Sequence, residues 1–170
     1  MRVTQPVATF ALAVFVGATS ASAQSPATQP VPPLAKVFAS SADVAALIAK
    51  AQSDHKPGQA TVSEPLLQLA PYSANLEYRT SVGPAAVHVD QDEVFYVIDG
   101  SGTFVTGGRL THSVQSNAGN SSGDSIEGGN AVSVAKGDFF VVPANTPHWF
   151  STINGHLVLM SLHVPASQGQ

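Results

Sequence analysis

The stretch that most limits what this chain can fold into is Glu93-Val94-Phe95-Tyr96-Val97-Ile98. Five β-branched or aromatic residues follow one carboxylate, and such side chains fit a pleated, half-buried surface. Asp99-Gly100-Ser101 then signals a turn, and Gly102-Thr103-Phe104-Val105-Thr106 resumes the pattern, which predicts a hairpin of 93–98 with 102–106. Alternation puts Glu93, Phe95 and Val97 on one face and Val94, Tyr96 and Ile98 on the other. With the first face inward, Glu93 stands beside an apolar pocket wall. His88 lies five residues earlier, at the end of a preceding strand. A second stretch, Gly137 to Phe150, reads as strand, proline-bounded turn and strand, with His148 at the head of the second strand and Phe150 and Thr152 on its face. Two histidines and a carboxylate thus stand near strand ends, where a small barrel would bring them together.

The flanking sequence is also of β type. Residues 66–70 and 76–80 are short strands separated by Pro71 and Asn75, and 131–134, 138–142, 148–153 and 157–163 supply four more. Short strands at regular spacing with turn residues between them make an all-β barrel or sandwich. Residues 107–130 interrupt the pattern with six glycines, three asparagines and five serines, which predicts a mobile surface excursion or a functional lid.

Upstream, Ser40-Ser41-Ala42-Asp43 has the form of a helix N-cap with an acidic first turn, and Val44, Leu47, Ile48 and Ala51 follow at helical spacing. That short helix is expected as a brace on the barrel or part of a dimer contact. Residues 24–39 carry Pro26, Pro30, Pro32 and Pro33 and form an extended arm. Arg2, the apolar run from Val7 to Gly17 and Ala21-Ser22-Ala23 match the three parts of a secretory signal peptide over residues 1–23. Removing those 23 of 170 residues leaves 147, enough for one domain with its own core. The expected organisation is a signal peptide at 1–23, arm and helix at 24–65, a barrel at 66–164 and a tail at 165–170. The expected location is periplasmic or secreted. With no cysteine there is no disulfide framework and no thiolate ligand. Seven basic against eleven acidic residues, without a basic cluster, exclude nucleic acid and an anionic membrane surface as partners.

Taken together, the two stretches resemble the motifs of the cupin superfamily. Its first motif has a Gly, His-x-His, three or four residues, a Glu, six residues and a Gly. Glu93 and Gly100 match the second half, and His88 occupies the second histidine position. The first histidine position falls on Ala86 and the leading glycine on Thr80. The second motif, Gly, five residues, Pro-x-Gly, two residues, His, three residues, Asn, is matched by Gly137, Pro143 and His148. Asn145 stands for its inner glycine, which a left-handed turn tolerates, and Thr152 for its final asparagine. The resemblance covers residues 66–164 and implies a jelly-roll β-barrel, commonly a homodimer, with a metal in its mouth.

The ligand set that follows is His88, Glu93 and His148, a 2-His-1-carboxylate arrangement suited to Fe and open to Mn, Zn, Ni or Cu. Glu93 is also the candidate catalytic base. Ala86 opens a coordination position for substrate, and His163 on the last strand is the candidate fourth ligand against its alternative as a strand-end surface histidine. His55, His112 and His156 are expected in solvent. Asp90 and Asp92 are rim charges, with metal capture as their functional alternative, and Tyr78 or Arg79 could anchor a substrate, although an outward Arg79 is the expectation. Alternation turns Trp149 away from the site, into helix or partner packing. Two functions follow: a metal-dependent enzyme on a small, partly apolar molecule (dioxygenase, isomerase, lyase or decarboxylase type), or a non-catalytic small-ligand-binding module.

Overall fold

The computed structural model describes residues 36–166. The expected leader, most of the arm and the last four residues lie outside the described residues. Among the described residues, one helix, α1 (Ser41–Asp54), precedes eleven strands. They are β1 (Thr61–Leu69), β2 (Tyr72–Arg79), β3 (Ala85–His88), β4 (Gln91–Thr106), β5 (Arg109–Leu110), β6 (Val114–Asn117), β7 (Asn120–Gly123), β8 (Ile126–Glu127), β9 (Asn130–Ala135), β10 (Phe139–Val142) and β11 (His148–Pro165). No helix among the described residues is long and apolar enough to cross a membrane.

The expected hairpin does not form. β4 runs through Asp99-Gly100 as one strand of 16 residues, and β11, with 18, pairs antiparallel with it from His148↔Thr106 to Pro165↔Gln91. Turn residues in each strand face those of the other: Gly100 (φ +82°) lies opposite Leu157, next to the Asn154-Gly155-His156 irregularity (Gly155 φ +79°). A Cβ at Gly100 would run into the His156 carbonyl. The glycines therefore bend two long strands instead of reversing short ones, and the strands expected at 148–153 and 157–163 are one.

That bend divides the sheet into two leaves. The first is β1-β2-β11-β4-β10, built on the C-terminal half of β11 and the N-terminal half of β4. The second holds β9 against the rest of β4, then the start of β11, β3, β7 and β6. The fold is an all-β jelly roll, as expected, but the barrel is not closed: among the described residues β9 and β10 each pair with β4 alone. The opening, lined by Phe104, Val132, Val134, Phe139, Phe140 and Val141, holds a hollow of about 300 Å3.

Between the leaves lie Phe95, Val97, Phe104, Val134, Val142, Phe150, Leu157 and Leu159. Each fully buried side chain of this size contributes about 1.5–3 kcal/mol. Phe95 and Val97 do lie on the inner face with Glu93, as alternation requires. α1 braces the outer face of the first leaf, where Val44, Leu47, Ile48 and Ala51 pack on Val62, Leu76, Tyr78, Ile98 and Val158. Its N-terminus carries the capping box of Ser40 and Asp43.

Residues 107–130 are not a loose lid. They form β5 to β8, and β7 pairs with β3 in the register Ala85↔Gly123 to His88↔Asn120. The polar composition reflects the β6–β7 hairpin, which turns at Gly119, and the β5–β8 pair at its base, with Gly123 buried against β3. The strands expected at 66–70 and 76–80 likewise start earlier, at Thr61 and Tyr72.

Candidate metal centre

Four titratable side chains from three strands meet between the leaves. Glu93 projects from β4, His88 from the end of β3, and His148 and His163 from the two ends of β11. Glu93 and His148 are buried, at 4% and 6% exposure. Oε2 of Glu93 lies 3.1 Å from His148 Nε2 and 3.4 Å from His88 Nε2, while its Oε1 lies 3.3 Å from His163 Nε2. One donor atom from each of His88, Glu93 and His148 falls within a 4.8 Å span, close enough to share one ion. The structure thus brings together the three expected ligands. His163 is not a surface histidine: its ring centroid is 4.9 Å from that of His88, and its Nδ1 is buried without a partner.

The outer nitrogens fix how the inner ones are used. His148 Nδ1 donates to the Thr146 carbonyl at 3.1 Å. His88 Nδ1 meets Asn120 Oδ1 at 2.5 Å, and Asn120 Nδ2 donates to Asn117 Oδ1 at 2.9 Å, so the amide presents its oxygen to His88. With both Nδ1 atoms protonated, the neutral rings turn Nε2 lone pairs toward a carboxylate. Glu93 Oε2, though close to both, has no hydrogen-bond partner. Three acceptors facing one point need a cation or a proton between them, and a divalent ion fits that donor set.

The electrostatics agree. Burial opposes the ionised form of Glu93, but in the metal-free site a proton shared with the facing imidazoles, His148 first and then His88, outweighs burial and holds the carboxyl far below its usual range. The same carboxylate raises the His88 imidazole, against burial. His163 is lowered by burial, which Glu93 offsets only in part.

The backbone around the site is pinned by the residues that looked like rim charges and loops. Asn145, at φ 58°, adopts the left-handed turn expected of the position and donates its N–H to the His88 carbonyl at 2.6 Å. Asp92 accepts from the Ala144 N–H at 2.7 Å, and the Asp90 carbonyl accepts from Ala166 at 2.9 Å. The Asp92 carboxylate thus has a structural role, whereas Asp90 contributes its backbone carbonyl. His112 is exposed beside Asp124, as expected, whereas His55 is half-buried and bonds Thr80 Oγ1 at 2.8 Å, and His156 is half-buried 3.1 Å from Asp99. Thr152 leaves the His148–Phe150 face at an irregularity in β11 and bonds Thr103 in solvent.

A cavity of about 180 Å3 opens beside the donors, walled by Phe95, Phe150, Trp149 and Pro84 and reaching Ala86. Ala86 pairs with His148 across the sheet and shares the face of His88, so the absent histidine leaves space there. Two expectations fail. Trp149 lines the cavity, tied by Nε1 to the Gly83 carbonyl at 2.8 Å. Arg79 points inward with Glu77, because the alternate residues Leu76 and Tyr78 are claimed by α1 on the outer face. The pattern of β2 held this signal, but only the helix shows which face is inside. Asn120 had no signal in its polar surroundings.

The sequence profile of the family described as Cupin matches residues 47–170. No curated protein matches the chain. Among solved structures, a Ralstonia eutropha JMP134 protein provisionally described as a mannose-6-phosphate isomerase is 17% identical over 67% of this chain and 94% of its own, at TM-score 0.46. A cupin superfamily protein from Desulfitobacterium hafniense DCB-2 is 12% identical over 67% of this chain and 84% of its own, at TM-score 0.46. Hydroxypropylphosphonic acid epoxidase from S. wedmorenis is 15% identical over 62% of this chain, at TM-score 0.45, and this chain spans 51% of it.

Proposed function

This chain belongs to the cupin family, and we propose that it is an exported metal-dependent enzyme acting on a small, partly apolar molecule. The observation that carries the reading is the convergence of two Nδ1-anchored imidazoles on the buried carboxylate of Glu93. His88, Glu93 and His148 hold a divalent transition metal (Fe, Mn, Zn, Ni or Cu), with His163 at hand as a fourth donor. When bound, the ion supplies Lewis acidity, or oxidative chemistry if it is iron. The chain does the rest: Phe95, Phe150 and Trp149 exclude water and orient an apolar group, and the gap at Ala86 admits a substrate atom. Glu93, kept ionised by its neighbours, can accept a proton if it leaves the ion. Dioxygenase, isomerase, lyase or decarboxylase chemistry suits such a site.

Export rests on the signal-like residues 1–23, and N-terminal sequencing of the protein recovered from the cell envelope tests it. We also propose a homodimer, supported by an apolar depression on the outer face of the first leaf, lined by Leu67, Val94, Tyr96, Phe139, Met160 and Leu162. A monomeric mass in sedimentation would remove that part of the reading.

The central test is elemental analysis of protein purified without a metal-affinity tag, beside His88→Ala. About one equivalent of a transition metal, lost or strongly reduced in the variant, is the expected result. No metal in either protein after reconstitution would leave the cavity as a metal-free binding module.

A further inference from the structure

The cavity beside the donor set has a second polar feature that metal binding does not use. Glu77 and Arg79 project into it from alternate positions of β2. Glu77 is buried at 9% exposure, and its Oε1 accepts from the fully buried Ser161 hydroxyl at 3.2 Å. Its Oε2 accepts from Arg79 Nε at 2.8 Å and lies 2.6 Å from Nη2. The guanidinium carbon sits 4.8 Å from the Phe150 ring centroid, so the group lies over an aromatic face. One edge of the fork is thus spent on Glu77, while Nη1 meets no hydrogen-bond acceptor among the described residues. The side chain remains 18% exposed, within the cavity lining.

We propose that Arg79 is an anion-anchoring residue, and that the cavity takes a small monocarboxylate carrying a second oxygen. The carboxylate pairs with the free edge of Arg79 while the second oxygen enters the gap at Ala86. This rests on the metal-centre reading above and adds the substrate class to it. Three observations support it. Charge is the first: Glu77 and Glu93 carry two negative charges, Arg79 one positive and a divalent ion two, so the site with neutral histidines is one positive charge in excess. A monoanion cancels that excess in a region of low dielectric. Geometry is the second, because Arg79 is the guanidinium in the cavity wall and its planar fork suits a carboxylate. Economy is the third: an ion pair kept only to fill space is often no better than apolar residues of the same volume. The cavity, about 180 Å3, is below the usual range for drug-sized ligands and limits the guest to a small molecule. Phe150, Trp149 and Pro84 accommodate a short apolar tail.

The test uses the Zn(II)-loaded protein and two probes of nearly equal shape, lactate and lactamide, titrated by calorimetry. Lactate should bind at least about tenfold more tightly, the value of one charge-assisted contact. The Glu77→Gln/Arg79→Gln double variant removes the pair without leaving a buried lone charge. It should keep one equivalent of zinc and lose most of the preference for the anion. Equal binding of the two probes to the wild type, or an undiminished preference in the double variant, overturns the proposal. Loss of zinc from the folded double variant also overturns it, since the pair would then support the metal donors. If the wild type takes up no zinc, the metal-centre reading fails by itself. Lactate binding to that zinc-free protein, abolished in the double variant, would still support the Arg79 anchor, and its absence would end it.

Discussion

His88 and His148 present the same atom to Glu93 and are held by unlike means. His148 is anchored within its own segment: Nδ1 donates to a carbonyl two residues back, in a turn set by Pro143 and by Asn145 at φ 58°. His88 is anchored across the fold, by a side-chain amide 32 residues later on β7. The amide is itself held by Asn117, and the β6–β7 turn is tied to Val89 through the Gly119 carbonyl at 2.8 Å. One ligand therefore depends on a short stretch of backbone, the other on a polar hairpin with little buried apolar surface. A site can be local on one side and wholly tertiary on the other, and the two sides should fail differently.

The largest effect is expected from His148→Ala, which removes the more buried imidazole. Metal binding should be lost while the fold stays mostly intact, because the inter-leaf core does not depend on the site. Metal content and thermal melting of the metal-free proteins check both halves of the statement. A collapse of the variant's melting temperature would show His148 to be structural.

An intermediate effect is expected from Asn120→Ala. His88 would keep its place at the end of β3 but lose the partner that sets its tautomer and ring orientation. Loss of such an outer partner costs about 10–100-fold in metal affinity, measurable by competition with a chromophoric chelator. An unchanged affinity would mean that the hairpin of β6 and β7 only decorates the sheet, and the contrast between the two histidines would vanish.

The smallest effect is one of pH on the metal-free protein. His88 is raised in the folded state, so its contribution is complete below its ordinary value of 6.5 and is lost as the pH rises through its folded value. Glu93 is lowered, so its contribution is present above 4.5 and is lost as the pH falls. His163, lowered mainly by burial, penalises the folded state below 6.5 and so works in the direction of Glu93. Melting temperature should therefore decline by a few degrees as the pH rises beyond 6.5, and His88→Gln should flatten that decline. With metal bound the trend should reverse, since binding displaces the proton of His88. A decline that persists in His88→Gln would place its origin elsewhere.

Much of the fold and part of the site are legible in the residues themselves. The β-branched and aromatic runs define β4, β10 and β11, their alternation puts Phe95 and Val97 beside Glu93, and Asn145 takes the left-handed turn its motif position demands. Ser40 and Asp43 announce the start of α1. These are local matters, decided by backbone sterics and by which side chains tolerate a pleat or a cap.

What only the tertiary structure decided concerns partners distant in the chain. Asp99-Gly100 bends a strand because β11 accompanies β4 past it, and no property of those two residues distinguishes a bend from a reversal. Arg79 faces inward because α1 covers Leu76 and Tyr78. His163 joins the site because its register places it opposite Glu93, and Asn120 holds His88 because β7 lies beside β3. Local preference names the residues that can take a conformation. Register and packing, which depend on the whole chain, decide which of them meet.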